Sequence, residues 1–89
     1  MSRSVTEVTE GEVDHHDPVP VYQQLAAIIR GQIERGELAP RSPLPSESYL
    51  QQRYGISRGT ARKAIELLRS EGLVYTVPQR GTYVAEKAG

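Results

Sequence analysis

The sequence predicts a mainly α domain closed by a small β-hairpin, and three observations carry that prediction. Three helical runs each end at a glycine, Gly36, Gly55 and Gly72, the residue that most readily takes the left-handed turn at a helix C-terminus. The second and third runs are separated only by Gly55-Ile56-Ser57. Two β-branched and aromatic runs, Leu73 to Val77 and Thr82 to Ala85, then flank Pro78-Gln79-Arg80-Gly81.

Residues 1–17 are polar and acidic with isolated valines, too little apolar surface to offset the entropy of ordering them, so a disordered acidic arm is expected there. The folded domain is expected over residues 18–86, and 87–89 form a short tail. Helix 1 is predicted from Pro18–Pro20 to Arg35, because proline is tolerated in a first turn and Asp17 complements the positive end. Val21, Leu25, Ile28, Ile29 and Ile33 recur at helical spacing and mark its core stripe. Three prolines between Glu37 and Pro45 rule out a helix there and predict an extended connector, with room for a short strand at Ser42–Leu44.

Ser46 is the predicted N-cap of helix 2, residues 47–54, and Ser57 that of helix 3, residues 58–70. Two short helices joined by a three-residue turn containing glycine read as a helix-turn-helix, with Ile56 plugging the angle. With the hairpin added, the expectation is a winged helix-turn-helix of three helices plus wing.

Composition narrows the function classes. A chain of 89 residues buries only about 60% of its unfolded surface, which leaves no room for a large ligand cavity. It has no cysteine, which removes thiolate catalysis and Cys-ligated zinc. His15 and His16 are adjacent but lack a third ligand, so no metal is expected. No apolar run reaches 18 residues and no signal-peptide core is present, so no membrane association is expected and a cytoplasmic protein is the default. Neither a base for a serine or threonine nucleophile nor a carboxylate pair falls in a plausible cleft, which argues against an enzyme. The net charge of zero is divided: residues 1–17 carry one basic against five acidic side chains, a net of −4, and residues 18–89 carry ten against six, a net of +4.

Helix 3 has the features of a reading helix. Ala61, Ala64, Ile65 and Leu68 form its apolar stripe, while Arg58, Gly59, Arg62, Lys63, Glu66 and Arg69 lie largely off it. Its basic residues concentrate toward the N-terminus, where a recognition helix meets base edges and its free N–H groups suit phosphates. Arg58 and Arg62 share a face, and Ser57 and Thr60 add hydroxyls for capping or for a phosphate. Gly59 has two readings, close approach to DNA or tolerance in a first turn. Arg80, at the hairpin tip, points to a minor-groove or backbone contact. The competing reading is a winged helix that binds protein; such a module loses the basic face that Arg58, Arg62, Lys63 and Arg80 supply here.

Five motifs in order then resemble the winged-helix DNA-binding domain of GntR-type bacterial transcription regulators. They are Pro20-Val21-Tyr22, Leu44-Pro45-Ser46-Glu47, Ile56-Ser57-Arg58-Gly59-Thr60-Ala61-Arg62, Glu71-Gly72-Leu73 and Gly81-Thr82-Tyr83-Val84, covering about residues 19 to 85. The first-helix wording is most similar to the HutC and YtrA branches. The resemblance implies a repressor that binds double-stranded DNA at an inverted-repeat operator; a homodimer is expected either on the DNA alone or through the family's C-terminal domain, and no cofactor is expected. It implies contacts from Ser57, Arg58, Gly59, Thr60 and Arg62, and from Arg80 and Gly81 in the wing. Ser46 of the second motif, Lys63, Gln79 and Arg53 complete the candidate set; the helix 2 arginine of the family is Ser48 here, so that contact is expected to be absent or supplied by Arg53. Arg41 and Gln79 occupy positions where the family has glycine, so the connector and wing tip are expected to take different shapes. The effector-binding and oligomerisation domain that the resemblance implies does not follow within these residues; a fragment and a small stand-alone regulator both fit, and neither reading gives this chain an effector pocket.

Overall fold

The computed structural model describes residues 12–86; residues 1–11 of the expected arm and the 87–89 tail lie outside the described residues. Three helices, α1 (Val21–Glu34), α2 (Glu47–Tyr54) and α3 (Arg58–Ser70), precede an antiparallel hairpin of β1 (Val74–Val77) and β2 (Gly81–Val84). The architecture is a winged helix-turn-helix.

Local chemistry accounts for most boundaries. Ser46 accepts the Tyr49 N–H at 3.1 Å and Ser57 accepts the Thr60 N–H at 3.1 Å, each satisfying a donor that the first helical turn leaves open. α1 closes with Gly36 at φ 82°, where the Glu37 N–H returns to the Gln32 carbonyl at 2.8 Å and the Gly36 N–H to that of Ile33 at 3.1 Å. α3 ends the same way, at Gly72 with φ 79° and the Leu73 N–H bonded to the Leu68 carbonyl at 3.0 Å. Gly55, at φ 66°, ends α2 and begins the tight turn.

The helices pack around Leu25, Ala26 and Ile29 of α1, Leu50 of α2 and the stripe Ala61, Ala64, Ile65 and Leu68 of α3, with Leu44, Val74 and Val84 closing the core. The contact of α1 with α3 is the most extensive between elements, and the fully buried alanines 26, 61 and 64 let the helices approach closely. Ile56, half-buried, packs against this cluster from the turn. Among the described residues no polar or charged side chain is buried.

The start of α1 differs from expectation. Helical structure begins at Val21 after Pro20, with no side-chain cap and no acidic residue in the first turn. Asp17 accepts the Val19 N–H at 2.8 Å and so organises the approach to the helix. Gln24 does the holding: its amide nitrogen donates to the carbonyls of Val19 at 2.8 Å and Asp14 at 2.9 Å, and its oxygen accepts the Asp14 N–H at 2.7 Å. Val13 packs on the core. The expected disordered arm therefore does not extend to residue 17; residues 12–17 lie against the domain because an apolar contact and the Gln24 amide bind them.

The connector is extended and pairs at Ser42–Leu44, as expected. The Arg41 N–H bonds the Val84 carbonyl at 2.7 Å, the Val84 N–H bonds the Ser42 carbonyl at 2.8 Å and the Leu44 N–H bonds the Thr82 carbonyl at 2.8 Å, with an antiparallel bridge between Pro43 and Tyr83. β2 is thus paired on both edges. Arg41 takes φ 70° and Gln79 φ 66°, so both residues hold the left-handed conformation that glycine would favour. Hydrogen bonds on either side fix the backbone at both positions, and the side chains accept the strain.

Candidate nucleic-acid interface

The front of α3 is a capped, cationic helix end. Ser57 Oγ accepts from the Thr60 backbone and also donates to Thr60 Oγ1 at 3.0 Å. Capping thus explains both residues from within the fold, and leaves the Thr60 hydroxyl proton to donate elsewhere. Arg58, Gly59 and Arg62 are exposed, with the two arginines flanking the buried stripe and Gly59 across the helix from it. At about 100° per residue, Arg58, Arg62 and Arg69 fall within about 40° of one another around the helix, forming a single row. A Cβ on Gly59 would meet only Ser57 Oγ, at 3.9 Å, so the fold itself gives no reason for glycine there.

Arg62 and Lys63 each meet a residue of another helix. Arg62 Nε lies 3.5 Å from Glu47 Oε2 while its side chain stays 57% exposed. An exposed pair of this kind contributes about 0–1 kcal/mol, too little to withdraw the guanidinium from an incoming ligand. Lys63 leans the other way, its Nζ 5.3 Å from the centre of the Tyr22 ring on α1. Lys63 therefore borders the arginine row and does not join it.

The wing stands beside this row. Its register pairs Val74 with Val84, Tyr75 with Tyr83, Thr76 with Thr82 and Val77 with Gly81. Pro78 and Gln79 occupy the centre of a turn closed by the Arg80 N–H to the Val77 carbonyl at 3.0 Å. Proline followed by a positive φ is the type II pattern. Gln79, Arg80 and Gly81 are exposed at this tip. Arg69 joins helix to wing through Thr76 Oγ1, 2.7 Å from its Nη1.

Ser46 is brought close to the wing: a groove of about 360 Å³ runs between the start of α2 and the hairpin, lined among others by Ser46, Ser48, Ile65, Arg80 and Gly81. Arg53 is not brought there. On an eight-residue helix it lies about 120° around from Glu47, and it lines a different groove, with Leu38 and Tyr49. Its guanidinium is 3.6 Å from Glu12 and 4.8 Å from the centre of the Tyr54 ring. Burial pushes the Tyr54 hydroxyl above the usual tyrosine range, with the Arg53 charge opposing the shift. His15 Nε2 lies 3.4 Å from the Tyr54 carbonyl.

Sequence reasoning missed the neighbours of Arg62. Glu47 is far from it in the chain, and no local periodicity links them. Arg69 was visible as a continuation of the row Arg58 and Arg62, seven residues on, but its tie to Thr76 depends on where the hairpin returns.

No helix among the described residues is long and apolar enough to cross a membrane. Residues 21–84 match the family of bacterial regulatory proteins designated gntR. The transcriptional repressor NagR of Bacillus subtilis is 42% identical over 74 residues, which is 83% of this chain and 30% of the repressor. The chain thus spans about 30% of the length of the curated relatives it matches. Among solved structures, the DNA-binding domain of AraR in complex with operator ORX1 superposes with TM-score 0.77 at 40% identity, covering 83% of this chain and 95% of that one. YtrA from Sulfolobus acidocaldarius, a GntR-family transcription factor, gives TM-score 0.80 at 32% identity over 89% of this chain and 83% of its own. Helix-turn-helix, wing and five ordered motifs converge with these likenesses: the chain belongs to the gntR family of bacterial regulatory proteins.

Proposed function

We propose that this chain is the sequence-specific double-stranded DNA-binding unit of a transcriptional repressor, working in the cytoplasm at the nucleoid and catalysing no reaction. The observation that carries the proposal is the exposed row of Arg58 and Arg62 on the capped front of α3, flanking the stripe that holds the core. In this reading α3 enters the major groove, Arg58 and Arg62 address base edges, and Ser57, Gly59 and Thr60 face the backbone. The tip Gln79-Arg80-Gly81 reaches the minor groove or the phosphates beside it, and Ser46 meets the backbone from the start of α2. Lys63 and Arg53 add positive charge at the margins. Two copies on an inverted repeat would set their reading helices about 34 Å apart. No effector-binding role is assigned to either groove.

The repressor relatives and the operator complex of the AraR domain support this reading by likeness. Selection of bound duplexes from a random pool tests it, the expected outcome being a palindromic motif. Binding should weaken with salt, with a logarithmic slope of about −0.9 per phosphate neutralised. The R58A/R62A double variant should lose preference for the selected duplex while melting as the parent does. Failure to bind any duplex below about 10 μM at low salt, where even non-specific association is expected, would contradict the proposal.

A further inference from the structure

Glu47 sits where a carboxylate is electrostatically costly for a protein that approaches phosphates: in the first turn of α2, beside the arginine row of α3. The positive end of α2 accounts for an acidic residue at this position. It does not account for the direction of the side chain, whose Oε2 reaches 3.5 Å from Nε of Arg62, fifteen residues away in the chain. The Glu47 side chain is only 35% exposed, whereas that of Arg62 is 57% exposed. One edge of the guanidinium is therefore turned inward to the carboxylate while the remainder faces solvent.

We infer that Glu47 is a positioning residue that sets the sequence preference of Arg62. The inference rests on the DNA-binding reading and deepens it. A guanidinium presents five N–H donors in a planar fork. With the Nε edge directed at Glu47, the two Nη groups are left as an outward pair, matched to the O6 and N7 acceptors of guanine in the major groove. Without the carboxylate, the side chain swings and contacts phosphates as readily as bases. Glu47 thus exchanges some general attraction to DNA for discrimination, since its charge repels phosphates wherever Arg62 does not neutralise it.

This gives changes of opposite sign, which a purely structural role does not. The test uses the 89-residue chain, a duplex recovered by selection with the parent protein, and a scrambled duplex of equal length, with affinities read by fluorescence anisotropy and folding by thermal melting. In E47A the ratio of selected to scrambled affinity should fall by up to about fivefold, the most that an exposed ion pair supplies, while affinity for the scrambled duplex rises. E47Q, which keeps the length and polarity of the side chain and removes its charge, should lie between parent and E47A and covers the case in which E47A folds poorly. In an R62A background, adding E47A should change the ratio less than about twofold, since coupled residues are not additive. An unchanged ratio in E47A and E47Q, or an equal fall with and without Arg62, would overturn the inference. A parent chain that enriches no duplex at all would instead remove the DNA-binding reading beneath it.

Discussion

Arg69 donates from Nη1 to the hydroxyl of Thr76 at 2.7 Å, so the last turn of α3 and the first strand of the wing are joined directly. Both residues are exposed, so the bond adds little stability, about 0.5–1.5 kcal/mol. Its consequence is geometric, because Thr76 pairs with Thr82 and the tip residues follow at once. We predict that T76V and R69A each weaken binding to a selected duplex, and that the double variant is no weaker than R69A alone. A double-mutant cycle measures the coupling; full additivity would show that the bond does not orient the wing.

Gly59 is the second test. Since an added Cβ meets nothing closer than 3.9 Å, G59A should raise helix stability by up to about 1 kcal/mol and lift the melting temperature by a few degrees. The same methyl should lower operator affinity more than about tenfold if the backbone must approach DNA closely. Stabilisation with unaltered affinity would leave tolerance of glycine in a first turn as the explanation.

Arg41 and Gln79 store strain that can be released. A non-glycine residue in the left-handed region costs about 1–2 kcal/mol, partly offset in a glycine variant by the greater freedom of the unfolded chain. R41G and Q79G should therefore each gain up to about 1 kcal/mol in urea unfolding, whereas Q79A, which keeps its Cβ, should not. A loss of stability in both glycine variants would mean that the side chains contribute more than the backbone strain costs.

The segment preceding α1 is held by its apolar contact more than by its ion pair. V13A removes two methyl groups from a half-buried position and should cost about 1 kcal/mol. E12A breaks a 3.6 Å pair with Arg53 between exposed side chains and should change stability by less than about 0.5 kcal/mol. Equal effects in thermal melting would refute this division.

Tyr54 gives a pH dependence whose sign follows from its burial. Its hydroxyl ionises at higher pH in the folded chain than its ordinary value of 10.0, so the unfolded chain gives up that proton first. The associated stability is complete below the ordinary value and is lost as pH rises through the folded one. Between pH 9 and about 11 the parent should lose more stability than Y54F; parallel curves would exclude the effect.

Short-range rules made the helices, caps and turns legible in the sequence. Ser46 and Ser57 bond N–H groups three residues on, Gly36, Gly55 and Gly72 take the left-handed turn in place, and the α3 stripe is a matter of helical spacing. Each of these interactions is complete within a few residues. The row of Arg58 and Arg62 was legible for the same reason, since it is the face that the stripe leaves outward. Tertiary structure alone decided which distant groups meet: Glu47 with Arg62, Lys63 with Tyr22, Arg53 with Glu12 and away from the row, and residues 12–17 against Gln24 and the core. It also decided that Arg41 keeps a glycine-like backbone, because its N–H is bonded to Val84, far along the chain, and that bond constrains φ more strongly than the Cβ of Arg41 opposes it. Side-chain reach is only a few ångströms, so contacts between residues far apart in the chain exist only after the helices and hairpin have packed.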